Sequence, residues 1–419
     1  MVSRAAPVPE RPAAGGPAAA KPAGKARTWW LVHQWCGLKL SVFMSFILFT
    51  GTLAVLSHEI DWLLSPSLRV SPASVKSEPD WPAIVRTAQR HAGIEAVQSV
   101  SAPVASAFAA TATVERADGG NHYLDIHPAT GALQGERGWV GAQRILRNMH
   151  RHLNLPVKYG VPLVGALAFL LLITLVSSLI VYKKWWRGFA KPIRTRNART
   201  GWGDFHRLAG VWSLWFVALM ALTGIWYFAE SVAVPAPGFE SAGADPIKPF
   251  DDGTAALAAG LARVRAERPS FRVDRIQLPD AEDGSFVIDG THDDAAWFVR
   301  PRANAVVIDA DTGELLLSLD SRTASVHQRI SEAADPLHFG TVGGYWTKLP
   351  WFLFGLLLTG LSVSGAALYG MRLAGRRGER TRARPVFRRA WSGMGWWRWP
   401  AAALVATGFA MLPNLWWGG

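Results

Sequence analysis

Four apolar runs limit what this chain can fold into. They cover about 38–57, 161–182, 208–229 and 349–370, each some twenty residues with almost no charge. At ~1.5 Å rise per residue such a run crosses a ~30 Å hydrocarbon core as a helix. A bilayer gives backbone amides no water, so spanning segments must be helices or closed barrels. A fifth run, 400–416, is shorter and flanked by Pro400 and Pro413, and is expected to be a further helix. Half of the 419 residues are hydrophobic, and they are concentrated most densely in these runs.

The formal charge of +13 would suggest a nucleic-acid partner if it lay on one soluble face. It does not. With the N-terminus placed inside, the tail to Lys39 and the loops 183–207 and 372–398 together carry 23 basic residues and three acids, Glu10, Asp204 and Glu379. The rest of the chain has 21 basic and 28 acidic residues. This asymmetry is the positive-inside pattern of a membrane protein and argues against nucleic acid. The Pro/Ala-rich start reads as a disordered tail rather than a signal peptide, because the apolar run begins late and is too long. The single Cys36 rules out an intramolecular disulfide.

Two polar segments separate the spans. In the first, Trp81-Pro82 to His91 has helical spacing, 97–104 and 108–116 read as strands, and Asp125 to Leu133 reads as a hairpin turning at Pro128 and Gly131. In the second, 254–267 is helical, and strands are expected near 271–278, 284–289 and 296–300. The hairpin then recurs from Asp309 to Leu315 through Thr312-Gly313. Each half has a His at one membrane edge, a span, a helix-plus-strands segment ending in a Thr-Gly hairpin, a His at the other edge and a return span. This is an internal duplication, with a pseudo-symmetry axis expected along the membrane normal.

The repeated histidines are His33 and His206 at the inner edge and His150 and His338 at the outer edge. His33 and Gly37, like His206 and Gly210, are four residues apart and share a helix face. A Gly beside an imidazole leaves room for a flat group against the backbone. A single His at a membrane edge is ordinarily just interfacial. Two at one depth on repeated helices can face each other, as bis-imidazole haem iron requires. His152 lies about 200° around a helix from His150 and cannot share its iron; His58 is a reserve outer ligand. His91, His122, His127, His292 and His327 read as solvated. No His-x-x-x-His occurs in a span, and no dinucleotide or phosphate loop is present.

The ordered set Leu31-Val-His33-Gln-Trp35-Cys-Gly37-Leu38, His150-Arg151-x-Leu153, Phe205-His206-Arg207-Leu208-x-Gly210 and Leu337-His338-Phe339-Gly340 resembles the PepSY-associated transmembrane family of bacterial inner-membrane proteins. The resemblance covers about 28–372. It implies periplasmic PepSY domains on a four-helix core and, for characterised members, haem b-dependent reduction of ferric siderophores in iron uptake. The implied haem ligands are His33, His206, His150 and His338. Asn154-Leu155-Pro156 departs from the family's usual apolar-apolar-Gly run.

The expectation is a membrane α+β protein. It has a cytoplasmic tail (1–27), spans at 28–58, 148–183, 205–229 and 338–371, and a fifth helix at 400–417. PepSY-like periplasmic domains occupy 59–147 and 230–337, and basic cytoplasmic loops 184–204 and 372–399. Two haem b groups would pass electrons from a cytoplasmic reductase or quinol to a ferric siderophore, of hydroxamate type. The catalytic residues, the particular siderophore and the oligomeric state stay open. The rival readings are a non-enzymatic tethered PepSY module and an electron-transfer subunit for another acceptor.

Overall fold

A computed structural model describes residues 24–74, 78–245, 254–376 and 382–417. The first 23 residues of the expected tail, and 377–381 of the second basic loop, lie outside the described residues.

The membrane part is built from four helical columns. The first is α1 (Lys25–Lys39) and α2 (Ser41–Val55), bent by 68° at Leu40 rather than forming one straight span. After α3 (Ser57–Leu64), α4 (Trp81–Gln89) and α5 (Ala142–His152), the second column is α6 (Val157–Gly165) running into α7 (Leu167–Val181). The third is α8 (Ala198–Trp212) and α9 (Leu214–Val232). After α10 (Thr254–Glu267) and α11 (Val326–Phe339), the fourth is α12 (Tyr345–Arg376). Among the described residues three helices are long and apolar enough to cross a bilayer, or four if the bent pair counts as one. The fifth helix is not among them. After α13 (Ala383–Gly393), α14 spans only Arg398–Ala410, ~20 Å of rise. It packs on α2 instead.

Small and hydroxyl side chains hold α2 against α12. Ser45 meets Ser362 at 2.8 Å and Thr52 meets Thr359 at 3.3 Å, while Gly355 leaves room for Thr52. In lipid, close approach and interhelical hydrogen bonds replace the hydrophobic drive available in water.

The polar segments join in one sheet rather than two separate domains. Strands β1 (Ile94–Ser101), β2 (Ala110–Arg116), β3 (Asn121–Ile126) and β4 (Leu133–Gly138) form one meander. Strands β5 (Arg272–Gln277), β6 (Ser285–Thr291), β7 (Val306–Asp309) and β8 (Leu315–Ser318) form another. The order is β4-β3-β2-β1-β5-β6-β7-β8, antiparallel throughout, and β1 pairs with β5 through Val100 and Ile276. Helices α4 and α10 bury Ile84, Val85, Leu257 and Leu261 on this sheet with Val100, Leu124, Phe286 and Ile308. Residues 296–300 are not a strand. Trp297 there is 81% exposed and Phe298 has φ +62°, which no strand accommodates.

The two hairpins turn alike. Gly131 and Gly313 have φ of +67° and +69°, and each amide donates four residues back, to His127 and Asp309. A side chain at Gly131 would also meet the Ala83 Cβ of α4 at 2.8 Å, and one at Gly313 the Ala256 carbonyl of α10 at 2.9 Å. Glycine is required by conformation and by the helix lying over the turn.

Candidate functional site

The four repeated histidines come together as two pairs. On the inner level His33 of α1 and His206 of α8 have ring centroids 6.4 Å apart at 81°. On the outer level His150 of α5 and His338 of α11 are 6.1 Å apart at 40°.

In all four rings Nδ1 faces a protein oxygen. The His33 Nδ1 lies 3.1 Å from the Thr174 carbonyl and 3.1 Å from Ser177 Oγ. The His150 Nδ1 donates to the Ile47 carbonyl at 2.8 Å. The His206 Nδ1 lies 2.8 Å from Ser364 Oγ, and that hydroxyl gives its own proton to the Leu361 carbonyl. The His338 Nδ1 lies 2.8 Å from Thr223 Oγ1, which donates to the Leu219 carbonyl. Carbonyls cannot donate, so His33 and His150 carry the proton on Nδ1 and keep the Nε2 lone pair for a ligand. At His206 and His338 the same tautomer leaves the Ser364 and Thr223 hydroxyls to donate to their own carbonyls.

The inner pair borders a cavity of about 540 Å³, lined mostly by apolar side chains and by Gly37, Gly203, Gly210 and Gly365. No protein atom lies within 4 Å of where a side chain at Gly37 would start. The two glycines of the His-x-x-x-Gly pattern thus meet at one space. Arg199, Arg207 and Arg372 also reach it.

The outer pair is held by devices with no sequence signature. Helix α5 has Gly141 at its N-cap, which offers no side chain. Asp61 of α3 takes over, accepting from the Ala142 amide at 2.6 Å and the Gln143 amide at 3.0 Å. Gly51 lies against the His150 ring, where a Cβ would fall 2.5 Å from Cε1. After His152 the chain turns through Leu153 and Asn154, both at φ +56°. Buried Asn154 ties that turn to α14 by donating to the Gly408 carbonyl at 2.9 Å. The residue that departs from the family pattern is thus the one that tolerates this backbone.

Beside the outer pair, the Tyr227 ring lies 5.4 Å from His338, and its hydroxyl donates to Asp335 at 2.5 Å. Arg300 bridges Asp335 at 2.7 Å and Glu332 at 2.8 Å, and Arg302 adds a second cation to Glu332 at 2.7 Å. Burial alone would push the Glu332 carboxyl up; the two guanidinium groups outweigh it and hold the acid below its ordinary range.

The remaining histidines do not join the pairs. His152 is buried against Gly160. His58 sits among Lys348, Glu59, Arg147 and Asp61. His91 and His122 share Glu136, and His127 meets Ser74. His327 is not simply solvated: it packs on Trp226, 4.0 Å from Glu230. His292 has a buried Nε2 without a partner. Among the described residues no three His, Cys, Asp or Glu gather into a metal-holding group.

The sequence reading missed Thr174, Ser177, Thr223 and Ser364, although hydroxyls inside apolar runs were the visible signal. Asp61, Gly51 and Asp335 act across long sequence separations and carry no such mark.

Residues 30–372 match the family model described as PepSY-associated TM region. No curated protein matches the chain.

Proposed function

The chain belongs to the family of the PepSY-associated TM region, and from that premise we propose a membrane protein that carries electrons on two haem b groups, one per histidine pair, to a ferric siderophore. The observation that carries this is the pair geometry with every Nδ1 engaged. A metal–imidazole bond of ~2 Å, plus ~1.2 Å from nitrogen to ring centre, separates two centroids across one ion by roughly 6.4 Å. The separations of 6.4 and 6.1 Å fit that span.

When bound, bis-imidazole haem supplies one-electron transfer with no coordination position free for a substrate. The chain's part is to hold and orient. Ser177, Ser364, Thr223 and the Ile47 carbonyl engage Nδ1 of the four rings and orient them, and Gly37 and Gly210 would give a flat macrocycle room along α1 and α8. The 23-to-three charge count over the tail to Lys39 and the loops 183–207 and 372–398 supports a cytoplasmic N-terminus and cytoplasmic basic loops in a bacterial inner membrane, with the sheet in the periplasm. The equal element order of the two sheet halves supports reading them as a duplicated PepSY unit. His33 and His206 would hold the haem that accepts electrons from a cytoplasmic reductase or quinol, and His150 and His338 the one that would pass them to the chelate. Reduction to Fe(II) loosens hard oxygen donors such as hydroxamates and frees the metal.

The deciding measurement is the haem-to-protein ratio of the purified chain. Two haems are expected. His33→Ala or His206→Ala should each remove the inner one, and His150→Ala or His338→Ala the outer one, while His58→Ala and His152→Ala keep both. A protein that takes up no haem supports the rival reading of a tethered, non-enzymatic module.

A further inference from the structure

Arg147 stands on α5, one turn before His150, and is partly buried. Its guanidinium lies over the ring of Phe339, 4.9 Å from the centroid, next in the chain to His338. Among the described residues no carboxylate lies within ion-pair distance of it, and no hydrogen bond holds it. The acids of this level are engaged elsewhere. Asp335 takes the Tyr227 hydroxyl and Arg300. Asp61 takes the first amides of α5, and Glu59 takes Lys348 at 2.5 Å. Of the charges that bear on Arg147, Asp335 attracts it from beyond ion-pair distance and Arg151 repels it.

A guanidinium removed from water is normally paired, because desolvation outweighs what an aromatic face returns. Arg presents a planar fork of donors suited to a carboxylate. Here that fork lies over Phe339, the neighbour of His338, and close enough to His150 for its charge to bear on that ring. We propose that Arg147 binds a carboxylate of the group held between His150 and His338. On the haem reading, on which this inference rests, that carboxylate is a propionate. Arg147 is then a positioning residue: it fixes how the macrocycle is turned about the His–His axis.

A chemical double-mutant cycle tests this. In a His206→Ala background, where only the outer seat remains, haem-free protein is titrated with haem b and with haem b dimethyl ester, whose propionates carry no charge. With Arg147 present, haem b should bind more tightly than the ester. In R147Q that preference should shrink about tenfold or more, the loss expected for one charge-assisted bond. R147K, a point charge without the fork, should keep part of it. Haem-free R147Q should melt no lower than its haem-free parent, since it loses an unpaired charge; a clearly lower melting temperature would make Arg147 structural and overturn the proposal. An unchanged haem-to-ester preference in R147Q overturns it as well. If millimolar acetate raises the melting temperature of the haem-free parent but not of R147Q, and the ester preference is unchanged, the site takes a free carboxylate and the propionate assignment falls. If neither haem binds at any concentration, the haem reading falls with it.

Discussion

Replacing Gly51 with Ala should damage the outer histidine pair and nothing else. Gly51 lies inside α2, where Ala is favoured over Gly by about 1 kcal/mol, so the helix itself gains. The new Cβ, however, would lie 2.5 Å from His150 Cε1 and 2.6 Å from Nδ1. Ordinary carbon contacts need about 3.5 Å, so the ring must retreat by roughly 1 Å. That retreat stretches the 2.8 Å bond from Nδ1 to the Ile47 carbonyl beyond hydrogen-bonding range. Losing an orienting partner of a metal-bound imidazole costs about 10–100-fold in affinity, or ~1.4–2.7 kcal/mol. The assay is the rate at which excess apomyoglobin strips haem from Gly51→Ala in the His206→Ala background. Loss should be about 10–100-fold faster than in the background alone, with unchanged far-ultraviolet circular dichroism. Unchanged stripping would mean that His150 does not ligate, or that its ring does not depend on the Ile47 carbonyl. Gly37→Ala is the contrast. It meets no protein atom within 4 Å, so any effect on the inner haem must come from what fills the cavity.

Three further outcomes can be checked. Asp61→Ala leaves the first amides of α5 without their acceptor. It should lower stability by about 1–2 kcal/mol, read as a shift in thermal melting, and weaken outer-haem retention while sparing the inner haem. Glu332 has a folded pKa below its ordinary value, so its stabilising contribution is full above the ordinary glutamate range and fades as pH falls through the lowered value. Acid melts of Glu332→Gln should therefore be flatter than those of the parent, and at neutral pH the variant should lose about 1–3 kcal/mol, less than for a fully buried pair because Arg302 is half exposed; parallel acid curves would refute this. A periplasm-active reporter fused near Arg194 should be silent, and an active one would overturn the orientation.

The sequence determined the features that depend on local chemistry and on periodicity. Four apolar runs had to be helices in a bilayer, since no other unclosed backbone satisfies its amides there. The Thr-Gly hairpins were legible because a left-handed glycine leaves a signature within five residues, and Gly131 and Gly313 adopt that conformation. The four paired histidines could be picked out because the pattern occurs twice, and the structure brings those four together as two pairs. What only the tertiary structure decided is everything carried by long-range contact. Where the helix of 400–416 lies was settled by its packing on α2. The merging of two expected domains into one sheet depended on a three-residue pairing of β1 with β5, which no local pattern encodes. The Nδ1 partners of the histidines are carbonyls and hydroxyls 100 or more residues away. The lone guanidinium of Arg147 emerged only once every nearby acid had been matched to its partner. A residue type announces which bonds it is able to make; only the packed chain determines which groups are left to make them.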